Sequence, residues 1–145
     1  MKAGRILSVA VLVLLGAGVQ AQTWKENQVL YSASRDYLVG YLRSLGYAPS
    51  NVKEKTISVK LQGYPAFISV NPNDLQIYSW FTGPADPSLI NRFNANYRFA
   101  SAYWNEANDI CVQSDLDLEG GVTLGAIGAW VQTFGALLDD YTKLE

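Results

Sequence analysis

Three short strand-like stretches within 56–82, the first of them strictly alternating and all separated by very tight intervals, constrain this chain more than any other feature. In Thr56–Leu61, the apolar Ile57, Val59 and Leu61 alternate with Thr56, Ser58 and Lys60, the period of a half-buried strand. Gln62-Gly63 reads as a turn, 66–70 as a second strand, Asn71-Pro72-Asn73-Asp74 as another turn, and 75–82 as a third strand. Proline fixes φ, and Asn and Asp side chains bond their own backbone, so these intervals reverse the chain. A parallel connection needs a crossover of about a dozen residues or more, and none fits here. The segment is therefore an antiparallel meander.

Helical spacing brackets it. Residues 26–45 carry Leu30, Ala33, Tyr37, Leu38, Tyr41, Leu42 and Leu45 as an apolar stripe, with Gly46 placed to end it. Asp86-Pro87 opens a second helix, the carboxylate capping free N–H groups and the proline tolerated at the first position; Leu89, Ile90, Phe93 and Tyr97 form its buried stripe. Strands are expected at 99–104 and 110–118, joined by the polar turn 105–109. In the second, Ile110, Val112, Ser114, Leu116 and Leu118 face one way, and Cys111, Gln113, Asp115 and Asp117 the other. Glu119-Gly120-Gly121 breaks the pattern, and a last helix follows over 123–143. Its stripe of Leu124, Ile127, Val131, Phe134, Leu138 and Tyr141 is widened by Ala126, Ala129, Trp130, Ala136 and Leu137. A helix this apolar is either deeply buried or shared with a partner. The pattern predicts an α+β fold: an antiparallel five-stranded sheet with three helices, in the order α-β-β-β-α-β-β-α.

The first 21 residues read as a cleavable signal peptide. Lys2 and Arg5 precede an apolar run from Ile6 to Leu15, and Val19-Gln20-Ala21 places small residues where a signal peptidase reads. The run is about half the ~20 apolar residues needed to span a bilayer. Residues 22–145 then form one domain, expected in the periplasm or outside the cell. From 11 basic and 13 acidic residues, loss of Lys2 and Arg5 leaves 9 against 13, a net charge of −4. A mildly acidic domain without a basic cluster argues against nucleic acid and anionic membranes as partners.

The chain contains no histidine. That excludes Ser-His-Asp and Cys-His catalysis, the common zinc sites and a histidine pH switch. Cys111 is the single cysteine, so no intramolecular disulfide forms; it reads as a small side chain packed in a strand rather than a reactive thiol.

From Pro87 onward the sequence resembles the YbjN family of bacterial sensory transduction regulators. The residues that carry the likeness are Ile90-Asn91-Arg92-Phe93-Asn94, then Tyr97-Arg98-Phe99-Ala100-Ser101-Ala102-Tyr103. Most specific is Ser114-Asp115-Leu116-Asp117-Leu118-Glu119-Gly120-Gly121-Val122-Thr123, an acidic-apolar strand that runs through Glu-Gly-Gly-Val into a helix start. The family usually has Trp-Asn-Arg before its Arg-Phe-Ala segment, where this chain has Phe93-Asn94-Ala95. The first half matches only by element order. The resemblance implies a fold like the type III secretion chaperones, a three-layer α+β domain that commonly pairs into a homodimer. It also implies a protein or peptide partner and no established enzymatic activity.

Asp115, Asp117 and Glu119, followed by Gly120, partly match a calcium loop. The position that should supply a bidentate Glu is Ala126, however, and strand alternation explains the same acids as a solvent-facing row. Asp115 and Asp117, about 7 Å apart on one strand face, could do acid-base work only if burial raised one pKa, and nothing marks that face as buried. No residue is therefore assigned a catalytic, cofactor-binding or metal-binding role. Among the aromatics, Tyr78, Trp80 and Trp104 are placed opposite the core faces of their strands; together with Trp130 they are candidates for a partner-binding surface or a dimer seam. The expected function is an exported, non-enzymatic homodimer that binds a protein or peptide, possible roles being envelope stress or sensory regulation. The alternative is a monomeric periplasmic sensor of calcium or a small ligand.

Overall fold

The alternating segments do form a meander, and it sits inside a larger sheet. The computed structural model describes residues 22–83 and 86–144; the signal-peptide assignment to 1–21 lies outside them. The elements run β1 (Val29–Leu30), α1 (Arg35–Ser44), β2 (Ser50–Lys53), β3 (Thr56–Leu61), β4 (Tyr64–Val70), β5 (Asp74–Phe81), α2 (Pro87–Asn96), β6 (Ser101–Trp104), β7 (Ile110–Asp117), β8 (Val122–Thr123) and α3 (Leu124–Lys143). The main sheet is antiparallel with six strands in the order β2-β3-β4-β5-β7-β6, and β1 pairs with β8 in a separate two-stranded sheet.

The five-stranded expectation is therefore corrected. Ser50–Lys53 pairs with β3 through an irregular register between Asn51 and Lys53, which hides the strand from any count of alternation. The first helix starts at Arg35 rather than at 26, with Ser34 accepting from the Tyr37 N–H. Residues before it form a strap instead. Gln28 and Glu26 carbonyls accept from the N–H groups of Leu124 and Gly125 at 2.9 Å, while the Thr123 hydroxyl accepts from Ala126. Free donors at the start of α3 are thereby satisfied. At the end of α1, Gly46 takes φ +88° while its N–H and that of Tyr47 return to Arg43 and Leu42, a Schellman close.

The core lies on one face of the sheet. Ile57 and Val59 of β3, Ala66 and Ile68 of β4, Leu75 and Ile77 of β5 and Val112 of β7 form one buried cluster with Leu38 and Leu42 of α1, Phe93 of α2, and Ile127, Phe134 and Leu138 of α3. All three helices thus cover the same face. The arrangement has two layers, not the three that the resemblance implied. The stripe of α3 is buried from Leu124 to Tyr141, and of the residues that widen it Leu137 is buried and Trp130 half-buried, whereas Ala126, Ala129 and Ala136 are exposed. Among the described residues, no helix is long and apolar enough to cross a membrane.

Candidate functional site

The opposite face of the sheet carries the aromatic residues of interest. Register fixes them in two rows: Phe67 opposite Tyr78 opposite Gln113 opposite Ser101, and Trp80 opposite Cys111 opposite Tyr103. The rings touch: centroids lie 4.9 Å apart for Phe67–Trp80, 5.0 Å for Tyr78–Trp80 and 5.7 Å for Phe67–Tyr78. None of the three belongs to the core or packs against it, and Trp80 remains 43% exposed. The result is a contiguous apolar patch ringed by Ser58, Ser69, Gln76 and Ser101.

Cys111 lies in the floor of this patch, 2% exposed between Trp80 and Tyr103. Burial pushes its thiol up, an effect partly opposed by the Tyr103 hydroxyl. Tyr103 donates to Gln113 Oε1 at 2.7 Å. The neighbouring Cys111 thiol, reinforced by burial, raises the phenol from 10.0 to about 12.

The four candidate aromatics do not share one surface. Tyr78 and Trp80 lie together, as expected. Trp104 was placed opposite its strand's core face, and this is corrected. It pairs with Ile110, while its neighbour Ala102 pairs with Val112 and is 2% exposed, so Trp104 is on the helix-side face, exposed only because β6 ends there. The small Ala102, rather than a large residue, faces inward because α2 packs against β6. Trp130 is also on the helix side, its Nε1 donating to Ser114 Oγ at 2.9 Å. Phe67 and Tyr103, which sequence reasoning passed over, take the vacated places. Strand parity could have found Phe67, because Ala66 and Ile68 on either side are core.

The motif residues divide by role. Asn91 is an exposed residue of α2. Phe99 and Arg98 lie in a bend rather than in a strand, and Phe99 is 72% exposed. Asp115 accepts from Gln76 Nε2 at 2.9 Å and Gln113 Nε2 at 3.1 Å. Asp117 Oδ1 accepts from the Glu119 N–H at 2.8 Å. These acids, with exposed Glu119, therefore form a solvent-facing row, and no group of three His, Cys, Asp or Glu side chains among the described residues is arranged to hold a metal ion. Gly120 is open, whereas Gly121 sits at φ +83° against Tyr31 and Val29.

Between the bend at Arg98 and Phe99 and the α3 residue Trp130 runs an open groove of about 570 Å³, floored by Ser114 and Leu116. Its size is within the range of clefts that take ligands.

The comparisons with known proteins agree on the architecture. A crystal structure of YbjN, described as a putative transcription regulator from E. coli, superposes with a TM-score of 0.63 at 17% identity, over 77% of this chain and 90% of that one. The type III secretion chaperone SycH of Yersinia pestis, solved in complex with a fragment of YscM2, gives 0.56 at 11% identity, over 78% and 100%. The ExoT-SpcS complex of Pseudomonas aeruginosa gives 0.52 at 13% identity, over 69% and 89%. At these identities the likeness is one of fold. No curated protein sequence matches. The family model YbjN, "Putative bacterial sensory transduction regulator", matches residues 34–143, and the chain accordingly belongs to the YbjN family.

Proposed function

We propose that this protein is a non-enzymatic binding domain that acts outside the cytoplasm as a homodimer and holds a protein or peptide partner. The observation that carries the reading is the open sheet face, where Phe67, Tyr78, Trp80 and Tyr103 form an aromatic patch that the core does not use. Exposed contiguous apolar surface of this kind is costly unless another molecule covers it, and aromatics are enriched at such contacts. SycH was solved bound to a fragment of YscM2, which supports a partner-holding role for this architecture. A fold alone does not carry a function. A regulatory role in the envelope follows if the leader directs export.

The face serves as the dimer seam in this reading. Light scattering of the processed protein, beginning at Gln22, should give twice the chain mass at micromolar concentration. The double variant Phe67→Ser/Trp80→Ser should be monomeric with its far-UV circular dichroism retained. A wild-type protein that stays monomeric at that concentration rejects the dimer, and crosslinking of the native exported protein followed by mass spectrometry then reads the partner separately.

A further inference from the structure

The sheet is closed along its outer edges and open at one inner lip. On the β2 side, the irregular pairing twists the edge, and Arg35 Nη1 donates to the Lys53 and Glu54 carbonyls. On the β6 side, Asn94 occupies both backbone groups of Ala102. These are the devices by which sheets avoid adding a foreign strand. Yet β6 covers only the first half of β7: pairing runs from Trp104–Ile110 to Ser101–Gln113, while β5 pairs with β7 as far as Asp117. Beyond Gln113 the chain preceding β6 has bent away at Arg98 and Phe99.

Parity shows which groups are exposed at this lip. The Leu118 N–H donates to the Asn73 carbonyl at 2.8 Å, so even-numbered residues of β7 turn their backbone groups toward β5. Odd-numbered residues turn theirs toward the β6 side. The N–H and C=O of both Asp115 and Asp117 therefore point into the gap, and none of the four bonds to another described residue.

We infer that this lip takes an extended peptide segment, of alternating basic and apolar residues, as an added antiparallel strand beside β7. The inference rests on the partner-binding reading and gives it a second surface, distinct from the aromatic face. Backbone bonds to Asp115 and Asp117 would supply affinity, as in other strand additions, and alternate side chains the specificity. Residues of the segment opposite Asp115 and Asp117 lie on the acidic face, beside Asp74, which pairs with Asp117. Residues between them point to the helix side, where Leu116, Phe99 and Trp130 line the groove. Among the described residues Arg98 is the one cation lining the groove, against three carboxylates on the outer row, so the balance selects a basic segment. Each cross-strand contact of this type is individually weak, so recognition is by the pattern rather than by one anchor.

The test uses the processed chain and fluorescein-labelled acetyl-Lys-Leu-Lys-Val-Lys-Leu-amide. Three controls accompany it: the same peptide N-methylated at every lysine, a Glu-for-Lys version, and the protein variant Asp115→Asn/Asp117→Asn. Saturable anisotropy, slowed amide exchange at Asp115 and Asp117, and at least a tenfold loss with the N-methylated peptide are expected. Both the acidic peptide and the Asn variant should bind at least tenfold more weakly. Phe99→Ser, a change at an exposed side chain that leaves the fold intact, should weaken binding without altering the dimer mass. Equal binding by the N-methylated peptide, or by the Glu version, overturns the inference. So does slowed exchange that maps to Phe67, Tyr78 and Trp80 instead, an outcome that keeps the general partner-binding reading. Absence of any peptide binding overturns the inference as well, and the mass measurement then judges the dimer on its own.

Discussion

The side chain of Asn94 stands in for a neighbouring strand at Ala102. Its Oδ1 accepts from the Ala102 N–H at 2.8 Å and its Nδ2 donates to the Ala102 carbonyl at 2.9 Å. One amide on α2 thus satisfies both outward backbone groups of Ala102 and ties the helix to the sheet. Asn94→Ala removes two hydrogen bonds, each worth about 0.5–1.5 kcal/mol net, and should cost about 1–3 kcal/mol, with an unchanged denaturant slope in urea unfolding. Asn94→Asp should recover part of the loss, since it keeps the acceptor for the N–H while setting a carboxylate against the carbonyl. A midpoint identical to wild type for Asn94→Ala would show that water replaces the amide without cost.

Trp130 and Ser114 couple α3 to β7 under the open lip. The indole N–H donates to a hydroxyl whose residue is 7% exposed, where an unpaired polar group costs about 1–3 kcal/mol. Trp130→Phe and Ser114→Ala should each destabilise the protein by about 1 kcal/mol or more. The double variant should lose less than the sum, because the second change removes a partner already lost. Strict additivity in the urea-derived values would rule out an energetic link between them.

The Tyr103 phenol, held up to about 12 by the neighbouring Cys111 thiol and by burial, makes stability pH-dependent at the alkaline end. A raised folded pKa means that the native state keeps its proton where the unfolded chain has lost it. This stabilisation is complete below 10.0, the ordinary value, and is lost as pH rises from there through about 12. Spectrophotometric titration should find Tyr103 the last of the nine tyrosines to ionise, beyond Tyr41, Tyr47 and Tyr78, which burial also raises, and Tyr103→Phe should abolish that last component. The Cys111 thiol, raised by burial, should react with an aromatic disulfide reagent at pH 8 only after unfolding. Rapid labelling of the native protein would mean that the patch opens.

How much of this was legible in the sequence depended on whether the governing interaction was local. The meander was readable because alternation in Thr56–Leu61 and the turn chemistry of 71–74 act within a few residues. β2 was not readable, since its irregular pairing with β3 leaves no period to detect. Residues 26–34 carry Leu30 and Ala33 at helical spacing, yet their backbone groups are taken by β8 and the start of α3, a tertiary competition that overrides spacing. Tyr78 and Trp80 were placed correctly by parity within one strand. Trp104 was not, because the parity of the short strand β6 is set by the packing of α2, which turns Ala102 and with it Trp104 to the helix side. The gap beside β7 exists only through the unequal lengths of β6 and β7.

Gly121 joins the acidic strand to α3, and its conformation is dictated by the strap. Its φ of +83° is unfavourable for a side-chain-bearing residue, and a Cβ there would stand 2.7 Å from Tyr31 Cε1 and 2.9 Å from Val29 Cγ1. The left-handed conformation alone costs an L-residue roughly 1–2 kcal/mol, and the contact with Val29 falls on β1, which pairs with β8. Gly121→Ala should therefore destabilise by at least about 1 kcal/mol and loosen the strap, read as faster amide exchange at Leu124 and Gly125, whose N–H groups bond to the Gln28 and Glu26 carbonyls. Gly120→Ala is the matched control: nothing lies within 4 Å of its added Cβ, and its effect should stay within about 0.5 kcal/mol. Equal effects of the two substitutions would mean that the strap does not select glycine at 121.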